Sequence, residues 1–227
     1  MFKQLANPTK VCMVVNQIYH TDTRVISYAN ALIETGAQVH VISSLGSSEE
    51  RLSPKEGITI YPIPLARNND GGLGYLVNYL FSIILFALYT ISLHFRYQYD
   101  VIHIHNMPDT LVLAALMPKV FGAKVILDIH DPMPNMFMSK FGKDADNSLV
   151  KFLEMQERLS AKLVDEVITA NPIFKEELSA RGIPPEKITV INNIPDPKIF
   201  HRQEALKTLS QPAQQFRLIY PGTLASR

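Results

Sequence analysis

Short apolar runs alternate with segments of helical periodicity along most of this chain. Residues 11–15 form a continuous apolar run, as expected for a strand that is buried on both faces. Further strands are predicted over 38–43, 58–63, 100–104, 123–129, 166–170 and 188–191, with Pro62 and Pro64 cutting the third one short. Helices are predicted over 22–35, 108–122, 148–163 and 172–180. This alternation predicts an α/β fold, with a Rossmann-like parallel sheet and helices on both faces.

Residues 75–95 contain no charged side chain over a length that could span a bilayer. The segment lies between two predicted strands, however, and a single crossing would place those strands on opposite sides of the membrane. Its few polar residues and the flanking Arg96 fall in a narrow sector of a helical wheel. Three interpretations stay open: a helix in the membrane interface, a crossover helix packed on the sheet, and a true span.

The composition is that of an ordinary globular protein, with 47% hydrophobic and 19% charged residues in 227. A formal net charge of +1 gives no reason to expect nucleic acid as a partner. The single cysteine, Cys12, lies in an apolar run, which excludes a disulfide framework and fits a reducing compartment. Because residues 1–10 have no signal-peptide pattern, we expect a cytoplasmic protein, peripheral on the inner membrane face if it meets a membrane.

Polar residues cluster at the predicted carboxyl ends of several strands, which is where open parallel sheets bind ligands. The candidates for substrate binding are Asn16, Asp22, Arg24, His105, Asn106, Asp109, Asp131, Asn171 and Asn193, and the candidate for catalysis is His130. His103 and Asp128 belong to the same clusters. Since these residues follow different strands, we expect them to meet along one edge of the sheet.

Several of these residues also fit purely structural roles. Asp22 and Asn171 each precede a predicted helix and could serve as its N-cap. His103 is expected to be a packed core histidine, and the pair His105-Asn106 could satisfy loop carbonyls. Asn193 could belong to a turn. His130, at a strand exit and flanked by carboxylates, is the residue for which function is the better explanation.

Two other site types are less consistent with the sequence. His-x-His followed by Asp-x-His-Asp suggests a metal-dependent hydrolase, but no third strand end offers histidine, cysteine or glutamate. No glycine-rich loop follows the first strand, where the sequence is Asn16-Gln-Ile-Tyr-His20, and this speaks against dinucleotide binding.

The order of these motifs is similar to that of the N-terminal half of family 4 (group 1) glycosyltransferases, which have the GT-B fold. The resemblance covers nearly the whole chain. It rests on Asp22-Thr-Arg24-Val25, on 99–106 (YDVIHIHN), on 122–131 (GAKVILDIHD), on 167–171 (VITAN), on 183–188 with Asn192-Asn193 and Phe200, and on 218–223 (LIYPGT).

The resemblance implies an enzyme of two Rossmann-like domains that face each other across a cleft. Residues 1–200 would be the acceptor-side domain, and 201–227 the linker and first strand of a C-terminal donor-binding domain. The reaction would be retaining transfer of a sugar from a nucleotide-diphosphate sugar, a co-substrate, to a polysaccharide or glycolipid precursor. His130 would face the donor sugar, and no metal or other cofactor is implied.

The sequence departs from the family pattern in two places. It lacks the Gly-Gly pair that many members have after the first strand, and it lacks the second domain with its paired glutamates. If 227 residues are the whole polypeptide, we expect no transfer from it alone. The partners would then be a nucleotide sugar, a lipid-linked or saccharide acceptor, the membrane face and the missing C-terminal domain. The alternative is a non-catalytic, membrane-associated GT-B half that recruits a separate donor-binding subunit.

Overall fold

The structure is a computed structural model that describes residues 8–45, 56–65 and 73–194. Its centre is a seven-stranded parallel sheet in the order β3-β2-β1-β4-β5-β6-β7. The strands are β1 (Lys10–Val15), β2 (Gln38–Ser44), β3 (Ile58–Ile63), β4 (Val101–His105), β5 (Lys124–Ile129), β6 (Glu166–Thr169) and β7 (Ile188–Val190). The strand order turns back at β1, so a crevice forms where β1 and β4 end side by side.

Helices cover both faces of the sheet, which confirms the predicted fold class. They are α1 (Thr23–Glu34), α2 (Leu73–Tyr97), α3 (Leu116–Val120), α4 (Met133–Phe141), α5 (Ser148–Leu163) and α6 (Pro172–Ala180). On one face, Val25 and Ala29 of α1 pack against alternate residues of β1, Met13 among them. On the other face, Phe86 of α2 and Leu178 of α6 join the core that contains Cys12. Burial of such apolar side chains stabilises each layer by about 25 cal/mol per Å².

Local sequence signals explain most element ends. Asp22 caps α1 by accepting hydrogen bonds from the backbone N–H groups of Arg24 and Val25. Gly36 follows this helix with a φ of 86°, a conformation that favours glycine. All seven strand predictions agree with the structure to within one residue at each end, and 58–63 agrees at both ends although Pro62 lies inside β3. An edge strand tolerates proline because one side of it makes no ladder hydrogen bonds.

Two helical predictions differ from the structure. The predicted helix over 108–122 is a 3-10 helix (Asp109–Ala115) followed by α3. Helix α4 was not predicted, because Pro132 and Pro134 interrupt the local pattern. Both prolines lie at the start of the helix, where the first N–H groups have no intrahelical acceptor and their loss costs little.

Helix α2 contains the uncharged segment 75–95 and packs along the sheet. Residues Val77–Tyr97 are long and apolar enough to cross a membrane by length and composition, and 33% of the most apolar window is buried. The preceding β3 and the following β4 belong to the same sheet. The face of α2 that points away from the core is largely apolar, with Val77, Leu80, Phe81, Ile84, Leu88 and Phe95 exposed.

The chain divides into two compact units, Met1–Asn192 and Asn193–Arg227. The predicted domain boundary at residue 200, and the linker and first strand predicted within 201–227, lie outside the described residues. These stay predictions.

Candidate functional site

The carboxyl ends of β1, β4, β5 and β6 lie side by side, and four of the predicted polar clusters follow them. Val15 of β1 pairs with His105 of β4, which pairs in turn with Asp128 of β5. Because the strands are parallel, Asn16 and His130 leave the sheet at the same edge as His105. The sequence prediction that these residues converge on one edge agrees with this register.

His105, Asp128 and His130, here called the histidine site, form the centre of this edge. His105 Nδ1 lies 3.3 Å from Asp128 Oδ2, and His130 Nδ1 lies 4.0 Å from Asp128 Oδ1. His130 Nε2 lies 3.9 Å from Asp131 Oδ2, and the Asp131 side chain is about half exposed. All three members of the site are almost completely buried. Asp128 thus holds a histidine on each side, one of them within hydrogen-bonding distance.

Burial and nearby charges set the ionisation of the site. Burial lowers the pKa of His130 to about 4, with Arg24 acting in the same direction and Asp128 opposing it. Burial alone would raise the pKa of Asp128, but the hydrogen bond and charge of His105 bring that pKa below its ordinary value. At neutral pH the site therefore holds a carboxylate beside a neutral His130 imidazole. Such an imidazole has one donor and one acceptor nitrogen.

His103 supports the histidine site from beneath. Its ring lies 4.1 Å from that of His105, and Tyr28 of α1 contacts both rings. Burial lowers the pKa of His103 to about 3, with the charge of His105 acting in the same direction. The predicted role of a packed core histidine agrees with this position. Ligand atoms of His103, His105 and Asp128 lie within 4.8 Å of one another, and among the described residues these three form a group that could hold a metal ion.

The loop before α1 reaches the same edge. Asp22 is buried and caps α1, which is the structural role that the sequence indicated. Arg24 lies 3.5 Å from the Asp22 carboxylate. Both charges act on the pKa of His130, Arg24 lowering it and Asp22 raising it. Asn16 is half-buried. This loop therefore supplies a cation near the histidine site, although it has no glycine pair.

The loop after β4 is held by hydrogen bonds within the protein. Asn106 Nδ2 donates to Asp109 Oδ1 at 3.2 Å and to the Asp131 carbonyl at 2.9 Å. Both Asn106 and Asp109 are buried. The structure thus places them where they orient the Asp131 loop, and their assignment to substrate binding stays a prediction.

Asn171 and Asn193 have different positions. The side chain of Asn171 accepts a hydrogen bond from Phe174 N at 2.8 Å and caps α6, which is the structural role that the sequence indicated. Asn193 is exposed and begins the second unit of the chain. Substrate binding by either residue stays a prediction.

The sequence analysis missed a buried ionic network behind this edge. Arg181 donates to both carboxylate oxygens of Glu157, at 2.7 and 3.2 Å, and to Asn135 Oδ1 at 3.1 Å. Burial raises the pKa of Asp109 to about 7, and the charge of Glu157 adds to this while Asn106 and Arg181 oppose it. These residues come from four separate elements, so no local spacing indicates the network.

The model of the glycosyl transferase 4-like domain family matches residues 21–193 of this chain. The chain belongs to this glycosyltransferase family. No curated protein matches it in sequence. The resemblance to the N-terminal half of a family 4 glycosyltransferase is therefore confirmed.

Solved structures show the same fold at low identity. HepE of Anabaena, solved with UDP and glucose, is 15% identical with a TM-score of 0.54, and the match covers 89% of this chain and 50% of HepE. Sucrose-phosphate synthase of Thermosynechococcus elongatus is 13% identical with a TM-score of 0.54, covering 88% of this chain and 94% of that one. UGT2 of Phytolacca americana is 11% identical with a TM-score of 0.57, and the match covers 90% of this chain and 57% of UGT2.

These structural relatives are GT-B glycosyltransferases, and this chain has the Rossmann-like fold of one of their halves. The chain spans about half the length of HepE.

Proposed function

We propose that this chain is the acceptor-binding half of a retaining glycosyltransferase. The complete enzyme transfers a sugar from a nucleotide-diphosphate sugar to a polysaccharide or glycolipid precursor. The observation that supports this most is the convergence of His105, Asp128 and His130 on one sheet edge, in a chain of the glycosyl transferase 4-like family. The donor-binding domain is supplied by further sequence or by a separate subunit, as the half-length match to HepE suggests.

In this proposal His130 faces the donor sugar at the reacting centre. A neutral imidazole can donate to or accept from sugar hydroxyls without carrying a positive charge into a site where an oxocarbenium-like charge develops. The Asp128 carboxylate lies 4.0 Å from His130 Nδ1, where its charge offsets developing positive charge. The leaving diphosphate is left to helix N-termini and basic side chains of the other domain. No metal or organic cofactor is needed in this scheme.

The exposed face of α2 favours work at a membrane surface. Val77, Leu80, Phe81, Ile84 and Leu88 form an apolar stripe on a helix that has no acidic residue. A helix of this kind that packs on a sheet with one face leaves the other free to enter the interfacial region of a bilayer. We place the protein on the cytoplasmic membrane face, held peripherally and not by a span.

A test of membrane association uses the exposed stripe. The double variant Ile84→Lys/Leu88→Lys is expected to sediment at least about tenfold less with vesicles of phosphatidylglycerol and phosphatidylcholine, because two charges must enter the apolar region. Ile173→Lys, which changes an exposed residue of α6, is the matched control and should bind as the wild type does. Equal sedimentation of all three proteins would contradict the membrane proposal.

Sugar transfer tests the enzymatic proposal. The 227-residue chain alone is expected to give no turnover of a radiolabelled nucleotide sugar, and the chain joined to its donor-binding half is expected to give turnover. Reading the gene past codon 227 shows which form the half takes: a continuing α/β domain supports the enzyme half, and a natural stop supports the recruiting module. Robust turnover by the 227 residues alone would overturn the division of labour proposed here.

A further inference from the structure

A groove of about 550 Å³ runs along helix α5 on the face of the sheet that carries α2. Leu113, Phe152, Met155, Leu159 and Leu163 form its apolar lining, and Thr110 and Lys162 are among the four polar or charged residues that complete it. We call it the α5 groove. None of these residues belongs to the histidine site, and the glycosyl transferase chemistry proposed above does not use them.

The groove is not explained by the packing of the described core. Phe152, Met155, Leu159 and Leu163 are spaced by three or four residues and form one stripe along α5. Phe152 is 51% exposed and Leu159 is 49% exposed. The buried face of the same helix is a different one and includes Val150, Ala161 and the ion-paired Glu157. An exposed apolar stripe beside a concave surface indicates a binding site for an apolar ligand.

The groove adjoins the apolar face of α2. Thr110 at its lining hydrogen-bonds to Tyr79 of α2. The 3-10 helix and α3, which lie between α2 and α5, expose Leu113 and Met117. At the end of this segment, the ring centroid of Phe121 lies 5.1 Å from that of Phe95 in α2. The exposed apolar side chains of α2, of this segment and of α5 therefore belong to one continuous surface. A hydrocarbon chain could pass from a bilayer that covers α2 into the groove without crossing water.

The direction of α5 places one end of the groove near the site edge. Helix α5 precedes β6, so its first turns lie at the carboxyl edge of the sheet, where β5 ends. Phe152 is in the second turn of α5, and Thr110 follows β4 by five residues. The Phe152 end of the groove is therefore the end closer to the histidine site. A chain lying in the groove would have its polar head at that end.

The charges around the groove favour an anionic head group. Lys162 lines the groove, and Lys151 and Arg158 are exposed on an adjoining face of α5, whereas Glu154 is half-buried and Glu157 is fully buried. Lys151 also pairs with Asp146 at 3.0 Å. Exposed positive charge beside an apolar surface attracts phosphate-bearing lipids at about 1 kcal/mol per residue.

We propose that the α5 groove binds the hydrocarbon chain of a phosphate-linked lipid that carries the acceptor sugar. The acceptor is thereby a lipid-linked saccharide and not a free polysaccharide. This inference rests on the proposed function, since it assumes that the histidine site acts on a sugar acceptor. It narrows the acceptor to lipid-linked saccharides. It also gives the α5 groove a role, which membrane docking by α2 alone does not.

The test is photo-crosslinking of the 227-residue chain with a long-chain alkyl phosphate that carries a diazirine near the chain end, presented in phosphatidylcholine vesicles. With the head at the Phe152 end, we expect the label further along the groove, on Leu159 or Leu163, when the digested protein is mapped by mass spectrometry. The variant Met155→Gln/Leu159→Gln should lower labelling of the groove about tenfold, because it removes apolar contacts. Both side chains are partly exposed, so the fold should persist, as circular dichroism would verify.

The controls separate the groove from the membrane surface and from the proposed function. Ile173→Gln alters an exposed apolar residue outside the groove and should leave labelling unchanged. Ile84→Gln/Leu88→Gln should lower vesicle binding while labelling in detergent solution persists. Label confined to α2, or a groove left unlabelled because another segment or a second copy fills it, would overturn the inference. Transfer to a water-soluble saccharide by the donor-complemented enzyme would then show that the proposed function survives without it.

Discussion

The substitution Asp109→Asn probes a buried carboxyl group near the histidine site whose pKa is strongly raised. Asp109 is fully buried and accepts one hydrogen bond from Asn106, and its Oδ2 has no hydrogen-bond partner among the described residues. Burial, with the charge of Glu157, raises its pKa to about 7 from an ordinary 3.8. Asparagine keeps the shape and the acceptor oxygen but never ionises.

The magnitude follows from linkage. A group whose folded pKa is raised contributes stability that is full below the unfolded pKa and is lost as the pH rises through the folded one. For Asp109 this window runs from pH about 4 to about 7. The free energy of unfolding lost across the window is at most about 4 kcal/mol, at 1.36 kcal/mol for each pKa unit. We therefore expect Asp109→Asn to have little effect at pH 4 and to stabilise the protein by about 2–4 kcal/mol at pH 8.

Urea denaturation at pH 4, 5.5, 7 and 8.5 measures this difference for the two proteins. The buried histidines titrate in both, so the difference isolates residue 109. Asp144→Asn, at an exposed position, is the control and should stay within about 0.5 kcal/mol of the wild type at every pH. A stability difference for Asp109→Asn that does not change with pH, or that becomes more destabilising as the pH rises, would refute the reasoning.

Three further predictions follow from the same edge. Arg181→Leu leaves the fully buried Glu157 without its partner and should lower the free energy of unfolding by about 3–5 kcal/mol, measured with heat or urea. The double variant Glu157→Leu/Arg181→Leu should recover most of this loss, and a double variant no more stable than Arg181→Leu would contradict the prediction. Asp128→Asn removes the carboxylate between two histidines and should lower kcat of the donor-complemented enzyme at least about tenfold with little change in KM, because the Asp128 charge stabilises positive charge that develops beside His130. An unchanged kcat would exclude that role. Elemental analysis of the purified chain should find no stoichiometric zinc or manganese, and one equivalent per chain would instead support the metal-dependent hydrolase.

The fold could be predicted because its signals are local. The apolar run of β1, the cap at Asp22 and the glycine after α1 each act within a few residues, and strand alternation with helices constrains the sheet to be parallel. The convergence of His105 and His130 followed from the same topology, since carboxyl ends of parallel strands share an edge.

Other features depend on contacts that the sequence does not display. The ion pair of Glu157 and Arg181 joins the end of α6 to the middle of α5, and each residue alone resembles a solvated charge. The periodic apolar stripe of α5 resembles a core-facing side, yet Phe152 and Leu159 are exposed. Helix α2 is a second example: it has more apolar residues than one face of the sheet can cover, so several of them are exposed.

The account depends most on the claim that His130 acts at the reacting centre. The direct test is the single-turnover rate of sugar transfer by the donor-complemented enzyme carrying His130→Ala, with Asp144→Asn as a control at an exposed position outside the histidine site. We predict a loss of about 10²–10³-fold for His130→Ala, the effect of removing one stabilising group from a transition state, and a wild-type rate for the control. A rate for His130→Ala within about threefold of the wild type would contradict the account.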